Sequence, residues 1–564
     1  MCGFYFKITK DVNEFDKTNF NFIRDSLTTR GSDQQHILKG SIGIYKYVAI
    51  HSRLIISGNS AYGIQPVKDE DDLLLFNGQI YNHKFLEQEN LIEQHLSDTD
   101  FLFSFIKDNN PVSACEFLKG PFAIIYLDIK NKSLFISRDV FGESPLFLTQ
   151  NENEIIISSD RKLLDIDSLS KKKLLEESFS SLSMGFSLAN YSINSIFLPG
   201  CFYTFSLDRE SITDPEIVLS ETRQKILSRK CKSNILNIPT KDNLTKFIDS
   251  FLSSLSLCTL DYKTYGLLLS TGIDSNFLDV SLDQLNIAHS NYSIVTSREK
   301  NFPFNSSQIV VAPVDYVKDL ILISKKSCNG FFDLATPLVM SIMRQAKEKI
   351  LISGDGADEI FLGYKKYKLA SILDIIRNLN PYIQIPLLTL IKYLFNSKLN
   401  FDIKKEIKSY PWKILIKGQS NHEIESAIEK IENASFNYDL LSKTNQNDFI
   451  YLLPEVFLRK GDFASLISGK QLRLPYLSKD LFHLSIDGSL PLINNVPLLF
   501  RQKSILYNAY KHLTGKRFKS SKAGFGMSNT WISNAITDYI DKSLCSDIYE
   551  KKYLQAILRN RFTY

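Results

Sequence analysis

The sequence predicts two domains of different fold class, a strand-rich α+β first half and a doubly wound α/β second half that ends in helices. Its 564 residues exceed the roughly 100–200 residues of one ordinary domain. Short apolar runs typical of strands fill residues 2–205, whereas strand and helix patterns alternate through residues 241–564. The polar, weakly patterned stretch 206–240 between them suits a connecting segment.

Four apolar runs predict the strands of the first half, and the third contains a hairpin turn at Asn131-Lys132. One helix is predicted from Asp98, in "DTDFLFSFIKDN". Together these elements indicate layered sheets with outer helices. The strand runs are "GIYKYVAIHS", "DLLLFNG", "PFAIIYLDIKNKSLFISRD" and "NEIIISSD".

The second half begins with a predicted helix from Asn243 and continues with the strand "YGLLLS", a helix and the strand "YSIVTS". A helix near Pro337 and the strand "KILIS" follow, and the remainder is mostly helical. Alternation of this kind is typical of a parallel sheet with helices on both faces. The apolar stretch 382–395 is too short to span a membrane and contains a proline and a lysine, so we expect a buried helix.

The composition excludes several classes of protein. Hydrophobic residues at 44% and charged residues at 23% are typical of a globular protein, and the net charge of +5 is spread along the chain, which argues against a nucleic-acid partner. The seven cysteines are odd in number and include no CxxC pair, which argues against disulfides and structural zinc. No signal peptide is visible, so we expect a cytoplasmic protein without a membrane partner.

Cys2, in the opening "MCGF", has two interpretations. It is either a chance cysteine at a chain end, with little to pack against, or an N-terminal nucleophile. In the second case, removal of Met1 gives Cys2 a free α-amine, whose pKa of about 7.7–8.0 suits a local base. The residue alone does not decide between the two.

Two strand-to-helix turns predict a site for phosphate and a divalent cation. In "YGLLLSTGIDS" a strand, a tight turn and a serine precede a helix, so backbone N–H groups would face an anion there. Asp274 would repel phosphate unless a cation such as Mg²⁺ lay between them. An ordinary turn with a serine cap is the alternative. The stretch "SGDGADEIFLGY" repeats the design with Asp355, Asp358 and Glu359, and parallel strands would place both turns at one sheet edge.

The motif "SxGxDS", followed by "SGDGADE" in a chain that starts Met-Cys-Gly, resembles the glutamine-dependent asparagine synthetase family. The resemblance implies an α/β/β/α class II glutamine amidotransferase sandwich, followed by an ATP pyrophosphatase domain. It covers almost the whole chain. The other matching motifs are "RGSD" at 30–33, "HSRL" at 51–54, "NGQIYN" at 77–82, "RDVFG" at 138–142, Lys460 with Asp462 and Ser465, "RLPYL" at 473–477 and "KAGF" at 522–525.

By this resemblance, Cys2 attacks the side-chain amide of glutamine, forms a thioester and releases ammonia. The side-chain amide of Asn77 and the backbone N–H of Gly78 would stabilise the oxyanion. Arg53 suits the α-carboxylate of glutamine, and Asp98 suits its α-ammonium group. A common turn at Asn77-Gly78 and a surface ion pair at Arg53 are the alternatives.

In the second domain, the resemblance implies that ATP adenylylates a carboxylate, that pyrophosphate leaves, and that ammonia then attacks. Asp274 and Asp358 would hold Mg²⁺, and Lys522 would neutralise charge on the phosphate; a solvated lysine in "KRFKSSK" is the alternative. The residues expected to bind ATP are Ser270, Gly272, Asp274, Ser275, Ser353, Gly354 and Asp355.

Several positions depart from the family pattern, most of them in the second half. The segment 298–315 is short and lacks the usual acidic helix, and a side chain, Thr271, stands where the family has glycine. Asp355 stands where many members that make asparagine carry Glu, and Ser478 replaces an Asp. Gln471 replaces the Glu of the usual Glu-x-Arg-x-Pro, and Gln79 in the first half also replaces a Glu.

Three hypotheses follow, and the first, asparagine synthetase acting on aspartate, is favoured by family membership. The second is a paralogue that amidates another carboxylate, such as a sugar acid or a peptide side chain. The third is a binding or regulatory protein. Because Thr271, Gln471 and the segment 298–315 differ from the pattern, we expect aspartate to be a poor acceptor. The sequence leaves the oligomeric state open, with a homodimer as one possibility.

Overall fold

A computed structural model describes most of both halves of the chain. The described residues are 2–56, 61–89, 94–164, 197–208, 211–229, 231, 241–295, 306–326, 333–364, 366–367, 370–371, 374, 380, 382–383, 440–486, 502–518, 529–546 and 548–562.

Two antiparallel sheets form the first half. The five-stranded sheet has the order β2-β3-β1-β9-β8, and the six-stranded sheet has the order β11-β10-β7-β6-β5-β4. The strands are β1 (Gly3–Thr9), β2 (Gln34–Ile42), β3 (Tyr45–Arg53), β4 (Val67–Lys68), β5 (Asp72–Gly78), β6 (Phe122–Asp128), β7 (Ser133–Arg138), β8 (Phe147–Gln150), β9 (Glu154–Ser158), β10 (Cys201–Ser206) and β11 (Glu216–Leu219).

The two sheets pack face to face, because alternate residues of each strand point to opposite sides. Phe4 and Phe6 of β1 share one buried cluster with Leu73 and Leu75 of β5. The intervening residues of β5 face the helices instead, in a second cluster that includes Phe101. The helices of this half are Val12–Lys17, Phe20–Leu27, His83–Glu89, Asp98–Asp108, Pro111–Phe117 and the short 3₁₀ helix Arg161–Leu163.

A five-stranded parallel sheet forms the centre of the second half, in the order β14-β13-β12-β15-β16. Its strands are β12 (Tyr265–Leu268), β13 (His289–Val295), β14 (Ser307–Val310), β15 (Ile350–Ile352) and β16 (Gln471–Arg473). Its helices are Lys241–Leu257, Ile273–Gln284, Pro313–Lys326, Thr336–Gln345, Ala357–Ile360, Leu440–Asn447, Leu458–Ser468, Lys479–Ile486, Ser504–Thr514, Asn529–Asp541 and Ile548–Phe562, with the π-helix Asp448–Phe457.

Helices cover both faces of the parallel sheet. Leu267 of β12 lies in one buried cluster with Phe277, and Leu268 lies in the other with Met340. The chain leaves β12 toward β13 on one side and later returns to β15 on the other side. The loops after β12 and β15 therefore meet where the strand order reverses, which is where open α/β sheets bind ligands.

The mixed α/β architecture predicted from the sequence is confirmed, including the hairpin between β6 and β7 and the helix Asp98–Asp108. Within the described part of the segment 206–240, β11 pairs with β10 and the helix Glu221–Ser228 follows, which its weak patterning does not predict. Beyond Ile383, the stretch 382–395 lies outside the described residues. In the part of the chain that the structure describes, no helix has the length and apolar character needed to cross a membrane.

Candidate active site

Cys2 lies in a cleft between the two halves of the chain, just before β1. The backbone N–H of Leu54 donates a hydrogen bond to its Sγ at 3.4 Å. Burial raises the pKa of the Cys2 thiol, although the N-terminal ammonium, the Leu54 N–H and Arg53 favour the thiolate. The isolated group is therefore a thiol that requires a base before it can act as a nucleophile.

The structure brings Asn77 and Gly78 to the same cleft, at the end of β5. Asn77 is buried, and its Nδ2 has no hydrogen-bond partner among the described residues. A side chain at Gly78 is excluded, because a Cβ there would lie 2.1 Å from the carbonyl oxygen of Pro121. A buried amide donor without a partner is costly, which indicates that this donor serves a ligand.

His51 holds the end of β5 in place. Its Nε2 lies 3.1 Å from the carbonyl oxygen of Phe76, the residue before Asn77. Burial lowers the pKa of His51 to about 3, so the ring is neutral and donates its Nε2–H to that carbonyl. His51 therefore positions Asn77 and is not available as a base for Cys2.

Arg53 and Asp98 place opposite charges in the cleft, as a bound amino acid requires. Arg53, at the end of β3, donates to Oε1 of Gln34 at 3.0 Å. Asp98 begins the helix Asp98–Asp108 and accepts a hydrogen bond from the N–H of Ile80 at 3.1 Å. Burial raises the pKa of Asp98, and that N–H and the charge of Arg53 oppose the shift.

Residues of the second half close the other side of the cleft, which contains about 950 Å³ of empty space including its opening to solvent. An ion pair joins the two sides, since Nη2 of Arg30 lies 2.8 Å from both carboxylate oxygens of Asp462. The cleft residues from the second half are Leu458, Gly461, Asp462, Ser465, Gln471, Leu472 and Leu474.

The first predicted phosphate turn, loop 270–275, follows β12 and leads into the helix Ile273–Gln284. The hydroxyls of Ser270 and Ser275 lie 3.0 Å apart, and the N–H of Gly272 donates to the Ser270 hydroxyl. Thr271 is buried in this turn. The turn is therefore tightly bonded, with the N-terminus of a twelve-residue helix behind it.

The second turn, loop 353–358, lies directly against the first. A Cβ on Gly354 would approach the Cβ of Asp274 to 3.1 Å. Asp355 accepts hydrogen bonds from the hydroxyl of Ser353 at 2.8 Å and from Nζ of Lys460 at 2.7 Å. The structure thus brings together all the residues expected to bind ATP, at one edge of the sheet.

Lys503 is a site residue that sequence reasoning missed. Its Nζ lies 2.6 Å from Oδ2 of Asp274 and 2.6 Å from Oδ1 of Asp358, between the two predicted metal ligands. Although burial opposes its charge, these two carboxylates raise the pKa of Lys503 above its usual value. The predicted Lys522 lies outside the described residues.

The two carboxylates still fit a divalent cation. Oδ1 of Asp274 is buried and has no hydrogen-bond partner among the described residues. Within those residues, no group of three or more His, Cys, Asp or Glu side chains could hold a metal ion. Mg²⁺ in nucleotide sites uses one or two carboxylates together with substrate phosphates, so Asp274 and Asp358 are the residues that would hold it here.

The sequence comparison with the family predicts that Gln471 lies near the nucleotide and the acceptor. It lies in the Cys2 cleft, where its Nε2 donates to Oε1 of Gln79 at 3.1 Å. Thr271 is described in loop 270–275, whereas residues 298–305 of the segment 298–315 lie outside the described residues.

Two family models match the chain in the same order as the two halves. A glutamine amidotransferase domain matches residues 1–213, and asparagine synthase matches residues 246–562. A solved glutamine phosphoribosylpyrophosphate amidotransferase from B. subtilis, complexed with ADP and GMP, aligns over 62% of this chain and 81% of that chain. Its identity of 13% and TM-score of 0.27 are too low to carry an argument.

Curated relatives agree with the family models. The chain is 22% identical to a glutamine-hydrolysing asparagine synthetase of Bacillus subtilis, over 88% of this chain and 83% of that protein. It is 23% identical to a putative glutamine-hydrolysing asparagine synthetase of Methanocaldococcus jannaschii, over 68% of this chain and 80% of that protein. The chain belongs to the glutamine-dependent asparagine synthetase family and is a glutamine-dependent amidotransferase and ligase.

Proposed function

We propose that the protein hydrolyses glutamine at Cys2 and uses the ammonia in the ATP-dependent amidation of a carboxylate at loops 270–275 and 353–358. The observation that carries this proposal is the Cys2 cleft, which residues of both halves line. In this proposal, residues 2–205 are an α/β/β/α amidotransferase domain, 206–240 connect the halves, and 241–564 are the ATP pyrophosphatase domain.

In the first reaction, the Cys2 sulfur attacks the carbonyl carbon of the glutamine side chain. The α-amine exposed by removal of Met1 takes the thiol proton, and Asn77 Nδ2 with the Gly78 N–H holds the oxyanion. When the tetrahedral intermediate collapses, the C–N bond breaks and ammonia leaves with that proton. Water then hydrolyses the thioester to glutamate and restores the thiol.

Arg53 and Asp98 hold the other end of glutamine in this reaction. The Arg53 guanidinium pairs with its α-carboxylate, and the Asp98 carboxylate pairs with its α-ammonium. Because both side chains line the cleft, the side-chain amide of the substrate is directed toward Cys2. Fixing both charges reduces the entropy that the reaction must overcome.

In the second reaction, the acceptor carboxylate attacks the α-phosphorus of ATP and pyrophosphate leaves, giving an acyl-adenylate. Ammonia then attacks the acyl carbon, AMP leaves, and the amide forms. The hydroxyls of Ser270, Ser275 and Ser353 and the adjacent N–H groups bind the phosphates, and Lys503 neutralises their charge. Mg²⁺, held by Asp274 and Asp358, would polarise the phosphoryl oxygens when bound.

Aspartate, converted to asparagine, is the acceptor that the curated relatives favour, since they are named asparagine synthetases. A sugar acid or peptide carboxylate is the alternative, which the buried Thr271 in the first turn supports. Low identity to the relatives leaves room for such a change of acceptor. A purely regulatory role is disfavoured because Cys2, Asp274, Asp358 and Lys503 are all in place.

The proposal is tested by pyrophosphate release in the presence of glutamine, ATP and Mg²⁺ across a panel of carboxylates that includes aspartate. We expect release that depends on both glutamine and one acceptor class. Release with aspartate at ordinary cellular concentrations would identify asparagine synthesis and contradict the specificity argument from Thr271. No release with any carboxylate, in protein whose glutaminase is active, would reject the second reaction.

A further inference from the structure

Arg473 lies fully buried where the two halves meet, and five residues contact its guanidinium. Nη1 donates to Oδ1 of Asp261 at 2.6 Å, and Nη2 donates to Oδ2 of the same carboxylate at 2.8 Å. The carbonyl oxygen of Cys258 accepts a further bond from Nη1. The ring of Tyr81 lies 5.5 Å from the guanidinium carbon, within the range of a cation–π contact.

Two glutamine side chains complete the set. Nη2 of Arg473 donates to Oε1 of Gln79 at 2.8 Å, and Nε donates to Oε1 of Gln471 at 3.2 Å. Nε2 of Gln79 then donates to Oδ2 of Asp261 at 2.8 Å, which closes the network between the halves. Four side chains thus satisfy one another where an unpaired arginine would be costly.

The charges of this network balance. Burial opposes ionisation of Asp261, but hydrogen bonds from Arg473, its charge and the bond from Gln79 lower the pKa of that carboxyl. Asp261 is therefore an anion, Arg473 is a cation, and the two glutamines are neutral. Asp261 therefore supplies the negative charge of this network.

The network touches both reaction sites through the backbone. Gln79 follows Gly78, whose N–H we assign to the oxyanion, and its own N–H donates to the carbonyl oxygen of Pro121 at 2.8 Å. The carbonyl oxygen of Arg473 accepts the N–H of Ser353, the first residue of loop 353–358, at 3.0 Å. A shift of this network therefore moves a residue beside each site.

We propose that Arg473, Asp261, Gln79 and Gln471 form a positioning junction that aligns the Cys2 cleft with loop 353–358, with Asp261 as its single anion. The inference rests on the proposed function, because the junction borders the cleft through which ammonia would pass. Its role is to keep the rate of glutamine hydrolysis matched to the rate of amidation, and none of its side chains takes part in either reaction.

The test exchanges the amide and the carboxylate between two positions. Asp261→Asn leaves Arg473 without an anion, and Gln79→Glu places a second carboxylate beside that of Asp261. In the double variant Asp261→Asn/Gln79→Glu, the amide and the carboxylate change places, and the bond between the two positions runs in the opposite direction. The matched control is Asp480→Asn, which removes an exposed ion pair between the halves, Lys119 with Asp480 at 2.7 Å.

The readout is glutamate formed per pyrophosphate released, together with ammonia-dependent pyrophosphate release. We expect each single variant to raise the ratio on the order of threefold or more, and the double variant to restore it, since coupled groups are not additive. Ammonia-dependent release should persist throughout, and the control should match the parent. A general loss of folding would instead lower both reactions equally and leave the ratio unchanged.

Two outcomes would overturn the junction. One is an unchanged ratio in single variants whose ammonia-dependent pyrophosphate release matches that of an active parent; the other is a double variant no better than the worse single one. Absence of glutamine-dependent pyrophosphate release in the parent itself would reject the proposed function as well. The two failures are therefore distinguishable.

Discussion

In the Cys2 cleft, burial raises the pKa of the thiol and favours its uncharged form, whereas in loops 270–275 and 353–358 two half-buried carboxylates pair with the ammonium of Lys503. The cleft is assembled from side chains on separate strands and loops of the two antiparallel sheets and from residues of the second half. The loops are local turns at the ends of two adjacent parallel strands. In the proposed function the two reactions therefore use separate groups, and we expect substitutions to disable the chemistry at one site while the other site keeps its own.

The largest effect is expected for Cys2→Ala, which should lower glutaminase activity by about four orders of magnitude or more, since the nucleophile is lost. Ammonia-dependent pyrophosphate release should persist. Both activities are measured, with Cys545→Ala as the control because that thiol is also half-buried. Retained glutaminase activity in Cys2→Ala would show that Cys2 is not the nucleophile.

The converse effect is expected for Asp274→Asn and Asp358→Asn. Each removes a charged ligand of the proposed Mg²⁺, so pyrophosphate release should fall about a thousandfold while glutaminase activity remains. The two rates are measured on the same preparations. Parallel loss of both would show unfolding or a wrong assignment of the site.

A somewhat smaller effect is expected for Asn77→Ala. Loss of the side-chain donor to the oxyanion should lower the kcat of glutamine hydrolysis between about a hundredfold and a thousandfold, with little change in KM. Asn110→Ala, at a helix N-cap away from the cleft, is the control. An unchanged kcat would mean that the side-chain amide of Asn77 does not stabilise the oxyanion.

The smallest effect is expected for Lys503→Met, which tests the lysine that contacts Asp274 and Asp358. Pyrophosphate release should fall about a hundredfold, as when one charge-stabilising group is removed. Lys511→Met, exposed on the following helix, is the matched control. Lys522, the lysine predicted from the sequence, is tested by Lys522→Met in the same assay; a larger loss there than in Lys503→Met would assign the role to Lys522.

The sequence predicts elements with clear apolar periodicity and misses those without it. The strands β5 and β12 were predictable because their apolar runs are flanked by turn residues. By contrast, β16 contains only three residues, Gln-Leu-Arg, and its parallel pairing with β15 supplies the order that its own sequence does not. Tertiary pairing decides such short strands.

The same limit applies to the sites. Asp274 and Asp358 stand in strand-to-helix turns that the local sequence predicts. A parallel sheet then brings the turns after adjacent strands to the same edge. Lys503 is 229 residues from Asp274 and has no recognisable pattern around it. Likewise, no local signal shows that Gln471 faces Gln79, 392 residues away, across the boundary between the halves.

In the proposed function, nitrogen released at Cys2 is used at loops 270–275 and 353–358 of the same molecule. The most direct test supplies amide-labelled glutamine, ATP, Mg²⁺ and the accepted carboxylate, with an excess of unlabelled ammonium in solution. We predict a product that carries the label with little dilution, and loss of that label in Cys2→Ala. An unlabelled product, whose nitrogen comes from the ammonium in solution, would contradict direct use of the glutamine nitrogen.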